Sequence, residues 1–221
     1  MSRLRSFVYS GQLGSVVLQN FDCVPCQLSK QSKLPFSNSS SRASSPFDLF
    51  HSDVWGSSPI LTIGGSRYFV IFIDDYSRFT WIYVLKNRSE LFSVYSTFAN
   101  MIYTQFSRTI KIFKSVNAKE YTSDVFLHFL AQQGTITQTS CPGTSEQNGR
   151  AERKHRHIIE TMGAMLRSAS VPESLWGEAV LTAVYTINRI PSTVLGNLII
   201  IFYVFLVVCV LFNSNRMKEI N

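Results

Sequence analysis

Cysteine and histidine are both scarce: this 221-residue chain has four of each. Cys23 and Cys26 form the one Cys-x-x-Cys pair, while Cys141 and Cys209 stand alone. That pattern excludes a disulfide framework and points to a reducing compartment. No histidine precedes His51. The Cys23–Cys26 pair therefore brings only two thiolates and no upstream imidazole to a zinc ion, which needs four ligands. Acidic residues are also few, 14 against 21 Lys plus Arg, for a net charge of +7. This balance suits a polyanionic partner, a nucleic acid or an anionic membrane surface, and says nothing about fold.

Long apolar runs are almost absent. Arg3 and Arg5 precede Phe7 to Tyr9, but Ser10, Gly11, Gln12 and Gly14 then interrupt any signal-peptide core, so no cleaved leader is expected. The exception is Leu198 to Phe212, fifteen uninterrupted apolar residues. A spanning helix wants about 20. Val194 and Leu195 could lengthen the run across Gly196 and Asn197, and a membrane tether stays open as one reading of this tail.

What the chain does have is 45% apolar content with 17 phenylalanines, enough for one sizeable core with appendages. Residues 37–45 are Ser-rich and read as a linker. Phe47 to Trp55, Arg67 to Asp74 and Phe79 to Leu85 read as strands, the last two joined by the tight turn Asp74-Asp75-Tyr76-Ser77-Arg78. The two aspartates of that turn tempt a metal assignment; the plainer reading is a hairpin turn with Arg78 as charge partner. Ser89 to Phe106 reads as a helix capped by Ser89, with Leu91, Phe92, Tyr95, Phe98, Ile102 and Phe106 on its core face. Thr109 to Val116 reads as a strand, Ser123 to Gln133 as a short helix ended by Gly134, and Thr135 to Thr139 as a strand. A final helix from Val171 to about Arg189 would bury Leu175, Trp176, Ala179, Ala183, Tyr185 and Ile187.

The most informative stretch is 140–167. Pro142, Gly143 and Gly149 mark a loop. A helix follows, with Ala151, His155, Ile158, Met162 and Met165 sharing one face at three- and four-residue spacing. Glu152 falls in its first turn among Arg150, Arg153, Lys154 and Arg156. A carboxylate set among cations at a helix start can hold a divalent metal while its neighbours hold a phosphate backbone. A solvated helix with ion pairs such as Glu152 to Arg156 is the plainer alternative.

The strings Ser-Cys-Pro-Gly-Thr (140–144), Gln-Asn-Gly (147–149) and Ala-Glu-Arg-Lys (151–154) resemble the catalytic loop and helix of copia-type retrotransposon integrases. The resemblance covers residues 46–197. It implies an α/β, ribonuclease H-like fold: a mixed five-stranded sheet flanked by helices, in the order β-β-β-α-β-α-β-α-α. It also implies DNA as partner, admits a homo-oligomer, and places the protein in the nucleus. Residues 21–36 resemble the second half of a His-His-Cys-Cys zinc module, and 1–36 is read as a relic of that module whose Cys23 and Cys26 form an incomplete site. Residues 198–221 abandon the family pattern, as a truncated reading frame would.

For chemistry, the resemblance implies an Asp-Asp-Glu set holding two Mg²⁺ or Mn²⁺ ions for 3′-end processing and strand transfer. Asp53, in Asp-Val-Trp-Gly (53–56), matches the first member and Glu152 the third. The second should stand 36 positions before Glu152, which is Val116 in Ser-Val-Asn-Ala-Lys-Glu-Tyr (115–121). Valine has no oxygen for a hard cation. Asn117 should face the opposite side of the strand and Glu120 should lie past its end. The expectation is therefore a crippled enzyme that still contacts DNA through Lys119, Arg150, Arg153, Lys154 and Arg156.

Overall fold

The structure, a computed structural model, describes residues 42–140, 148–192 and 198–199. Cys23, Cys26 and Cys141, residues 141–147 and the apolar tail beyond Ile199 lie outside the described residues.

Three antiparallel strands come first: β1 (Leu49–Trp55), β2 (Tyr68–Asp74) and β3 (Thr80–Leu85). β2 is buried on both faces, consistent with its run Tyr-Phe-Val-Ile-Phe-Ile-Asp. Helix α1 (Leu91–Phe106) leads to β4 (Ile112–Ser115), which pairs parallel to β1. Helix α2 (Asp124–Gln132) leads to β5 (Ile136–Thr139), parallel to β4. The sheet order is β3-β2-β1-β4-β5, five strands of mixed direction. Helices α3 (Gly149–Ala169) and α4 (Trp176–Ile187) complete the core. A two-residue pairing, β6 (Pro191–Ser192) with β7 (Leu198–Ile199), follows. Among the described residues no helix is long and apolar enough to cross a membrane.

Each sheet face carries its own core, because alternate side chains on a strand point to opposite faces. On one face Phe50, Val54, Val70, Phe72 and Phe113 meet Leu91, Tyr95, Phe98 and Ile102 of α1 and Phe126 and Leu130 of α2. Aromatic contacts dominate: Phe98 stacks on Phe72 at 4.5 Å between centroids and meets Phe50 edge-on at 5.3 Å. On the other face Phe69, Ile71 and Ile73 meet Ala151 and Ile158 of α3 and Trp176, Val180, Val184 and Ile187 of α4.

Several sequence expectations need correction. Ser89 does not cap α1; it lies inside a 3₁₀ turn, Arg88–Glu90, whose N-cap is Asn87. The Glu90 carboxylate reaches back to accept the Lys86 and Asn87 N–H groups, as the acidic member of a capping box does. Tyr185 is 59% exposed, not buried. One residue is 100° of helix, so the interior takes Val180 and Val184 and turns Tyr185 outward, under the Arg189 guanidinium. β4 begins at Ile112 and ends at Ser115, which puts Val116 just past the strand. β1 begins at Leu49, because Phe47 adopts a left-handed backbone (φ 69°). Ser123 at the N-cap of α2 and Gly134 beyond its end (φ +71°) are as expected. Gly56 is required where β1 exits: its φ is +123°, and a Cβ there would lie 2.6 Å from the Arg67 carbonyl.

Candidate active site and nucleic-acid interface

Asp53 lies near the middle of β1, on the face covered by α3. Its Oδ1 accepts the Val54 N–H at 2.8 Å and its Oδ2 lies 3.2 Å from His155 Nδ1. The side-chain partner of this carboxylate is His155, four residues beyond Ala151 on the buried face of α3. His155 is 7% exposed and meets the Phe69 ring edge-on at 5.3 Å. Its Nδ1 donates to Asp53, and its buried Nε2 has no hydrogen-bond partner. Glu152 lies half-buried in the first turn of the same helix.

The parallel pairing of β1 with β4 locates the third position. Leu49 pairs with Ile112, Phe50 with Phe113 and His51 with Lys114. Two further steps in that register bring Val116 level with Asp53. Val116 packs against the aromatic core under α1 and α2. Neither neighbouring candidate stands in for a carboxylate there. Asn117 is exposed in the bend after β4. Glu120 is ion-paired with Arg88, whose guanidinium also donates to the Gly56 carbonyl at 3.0 Å. Tyr121 closes this turn, its hydroxyl 2.7 Å from Ser52 Oγ, the residue beside Asp53. Burial pushes the Tyr121 phenol well up, against the Ser52 hydrogen bond, which lowers it.

The residues present do not fit the two-metal centre expected of the fold. That centre needs a shared carboxylate beside Asp53, and the residue the register brings level with Asp53, Val116, has no oxygen for a cation. Among the described residues no group of three or more His, Cys, Asp or Glu side chains is arranged to hold a metal ion.

Asp74 and Asp75 are structural. Asp74 accepts the N–H groups of Phe47 and Ser77 at 2.9 and 2.8 Å, and burial raises its carboxyl above the usual range. Asp75 is fully buried and receives Arg78 at 3.0 Å, as the hairpin reading required. It also receives His51 Nε2 at 2.9 Å, the Ala43 N–H at 2.8 Å and the Arg150 guanidinium. Burial alone would raise Asp75; the His51 and Ala43 hydrogen bonds and the Arg150 charge outweigh it, and the carboxyl falls below its usual value. No pattern in the sequence marked His51 or its link to Asp75, because the groups meet only when three separate elements pack.

The five cations divide by environment. Lys119 is exposed in the turn after Val116, and Arg153 and Arg156 are exposed on α3. Arg150 is 23% exposed and committed to Asp75. Lys154 is half-buried, and desolvation lowers its ammonium to about 8. Its charge is therefore present below pH 8 and lost above it. DNA affinity is expected to fall as pH rises from 7 to 9, and Lys154→Arg should flatten that part of the profile. Fluorescence anisotropy with a labelled duplex at fixed salt checks this.

Residues 43–145 match the family model described as the integrase core domain. Across 174 residues, 79% of this chain, the sequence is 43% identical to the retrovirus-related Pol polyprotein from transposon TNT 1-94 of Nicotiana tabacum. The chain carries an integrase core domain. It is also 42% identical, over 173 residues and 78% of its length, to the Pol polyprotein from transposon RE1 of Arabidopsis thaliana. These relatives are of the copia type. The matched region spans only 13% and 12% of their lengths. The fold matches a chain of the simian T-cell lymphotropic virus intasome, solved in complex with the PP2A regulatory subunit B56 gamma. The TM-score is 0.54 at 18% identity, covering 67% of this chain and 51% of that one. The sheet order and flanking helices are those of a ribonuclease H-like integrase core.

Proposed function

We propose that this integrase core binds DNA through the basic face of α3 and the Lys119 turn, and that metal-dependent phosphoryl transfer is lost at Val116. The observation that supports the reading is the β1–β4 register, which, continued two steps beyond His51–Lys114, brings Val116 level with Asp53, where the family's chemistry would need an oxygen. Asp53 and Glu152 would be what remains of the catalytic set. His155 holds Asp53, and Mg²⁺ or Mn²⁺ would meet an incomplete donor set. The nucleus is the expected compartment, and self-association is part of the proposal. The proposed organisation is a zinc-module relic over 1–36 containing Cys23 and Cys26, a linker over 37–45, the core over 46–197 and a tail over 198–221. Arg42 and Ala43, at the end of that linker, already hydrogen-bond the hairpin turn at Tyr76 and Asp75.

DNA contact through phosphates is additive and salt-dependent, with log K falling by about 0.9 per log unit of salt for each phosphate neutralised. The wild-type chain should bind duplexes of unrelated sequence with similar, salt-sensitive affinity. Arg153→Ala and Arg156→Ala should each flatten the salt slope by about 0.9. Affinity that holds steady from 50 to about 200 mM salt would remove the DNA reading.

A further inference from the structure

Resting on that DNA-binding reading, we propose that Arg150 is a positioning residue rather than a phosphate contact. With Asn148, His51 and Asp75 it forms a buried clasp that fixes the first turn of α3 to β1 and β2.

The argument begins with the helix start. Asn148 is the N-cap residue of α3, and asparagine commonly serves there by accepting the helix's own first N–H groups. Its side chain makes no such bond. It turns to β1 instead: Nδ2 donates to the Ser52 carbonyl at 2.9 Å, and Oδ1 lies 3.3 Å from His51 Nδ1. Asn148 is fully buried. Asn148, Ala151, His155 and Ile158 follow one another at three- and four-residue spacing, and all four are buried. The clasp thus begins the same face that carries His155 onto Asp53.

Arg150 supplies the second tie. Its guanidinium meets Asp75, a fully buried carboxylate that also receives His51 and Arg78. Three elements converge there: β1 through His51, the β2–β3 turn through Asp75 and Arg78, and α3 through Arg150. A guanidinium three-quarters buried against a carboxylate brings little net charge to a phosphate. Removing it leaves Asp75 short of a partner and frees the helix start that presents Arg153, Lys154 and Arg156.

The test uses the full chain with Arg150→Ala, Arg150→Lys, Asp75→Asn and Asn148→Ala, read by hydrogen exchange of amides 149–156 and by the salt slope of duplex binding. Arg150→Ala should weaken DNA binding several-fold with an unchanged salt slope, while Arg153→Ala lowers the slope by about 0.9. Asp75→Asn raises the net charge from +7 to +8, since the acidic count falls from 14 to 13. Simple electrostatics would tighten binding; the clasp requires it to weaken. If Arg150→Ala does not fold, Arg150→Lys decides. A lysine serves a phosphate well but does not reproduce a planar fork against a buried carboxylate, so weaker binding and faster exchange support the clasp. Wild-type affinity in Arg150→Lys, a slope loss of about 0.9 in Arg150→Ala, or tighter binding by Asp75→Asn overturns it. If the wild-type chain binds no DNA, the underlying reading fails separately. Exchange at 149–156 in Asn148→Ala then still decides the clasp: acceleration supports it, and an unchanged rate overturns it.

Discussion

The Val116→Asp variant, and not the wild type, is expected to show a metal dependence. The frame around residue 116 is in place: Tyr121 holds the following turn to Ser52, and Arg88 holds Glu120 to the Gly56 carbonyl. An aspartate introduced there would stand level with Asp53 by the β1–β4 register. Without a cation it would be an unpaired carboxylate beside an aromatic core, which is costly. Metal binding would relieve that cost. The first readout is therefore stability, independent of activity. Ligand at 100 times its dissociation constant stabilises a fold by about 2.7 kcal/mol, so the denaturation midpoint of Val116→Asp should climb with Mn²⁺ or Mg²⁺ while the wild-type midpoint stays flat. The second readout is joining of a labelled duplex, absent from the wild type and present only in Val116→Asp with metal. It should disappear again when Asp53→Asn is added, because residues acting as one unit fail together. Metal-dependent joining by the wild-type chain, abolished by Asp53→Asn, would show that Val116 is no lesion. Metal-dependent stability without joining would place the remaining deficit in the segments outside the core.

Phe98→Ala is expected to be the most destabilising single change in the α1 layer. Phe98 is fully buried, stacks on Phe72 and meets Phe50 and Trp81 edge-on at 5.3 and 5.4 Å. Its ring joins α1 to β1, β2 and β3 at once. Truncating a buried phenylalanine costs about 3–5 kcal/mol, the lost transfer energy plus the cavity. Against a total stability of about 5–15 kcal/mol, much of the population would unfold under mild denaturant. The urea midpoint should drop by more than about 1 M. Tyr185→Ala on α4 is the control: exposed, and expected to change stability by no more than about 0.5 kcal/mol. Equal effects from the two changes would mean that the aromatic layer under α1 is not what holds the sheet.

Both predictions draw on features that differ in how far the sequence discloses them. The strands of the first hairpin, the apolar stripe of α1 and the Ser123 and Gly134 boundaries of α2 are visible because local propensity and tertiary burial agree there. The phase of α4 was misjudged at Tyr185, because a helix with apolar residues on most of its surface does not reveal which stripe faces the sheet. The start of α1 differs from the Ser89 cap, because Asn87 and Glu90 together form a capping box two residues earlier. At the site, ordered motifs are what propose Asp53, Val116 and Glu152. His155 as the partner of Asp53 was legible only as a buried face residue. The pairing of Arg150 with Asp75 was not legible at all.

The sequence alone determined the family, the strand and helix order and the net positive charge, and it raised the proposal that valine stands for an acid at 116. These are properties of residue identity and spacing along one chain. Only the tertiary structure decided which groups face one another. It set Val116 level with Asp53 through the pairing of β1 with β4, strands 63 positions apart in register. It added His51 and Arg150 to Arg78 around Asp75, and it separated the committed cation on α3 from the exposed ones. Charge pairing depends on distance through space and on desolvation. Neither is fixed until strands and helices distant in the chain pack against each other.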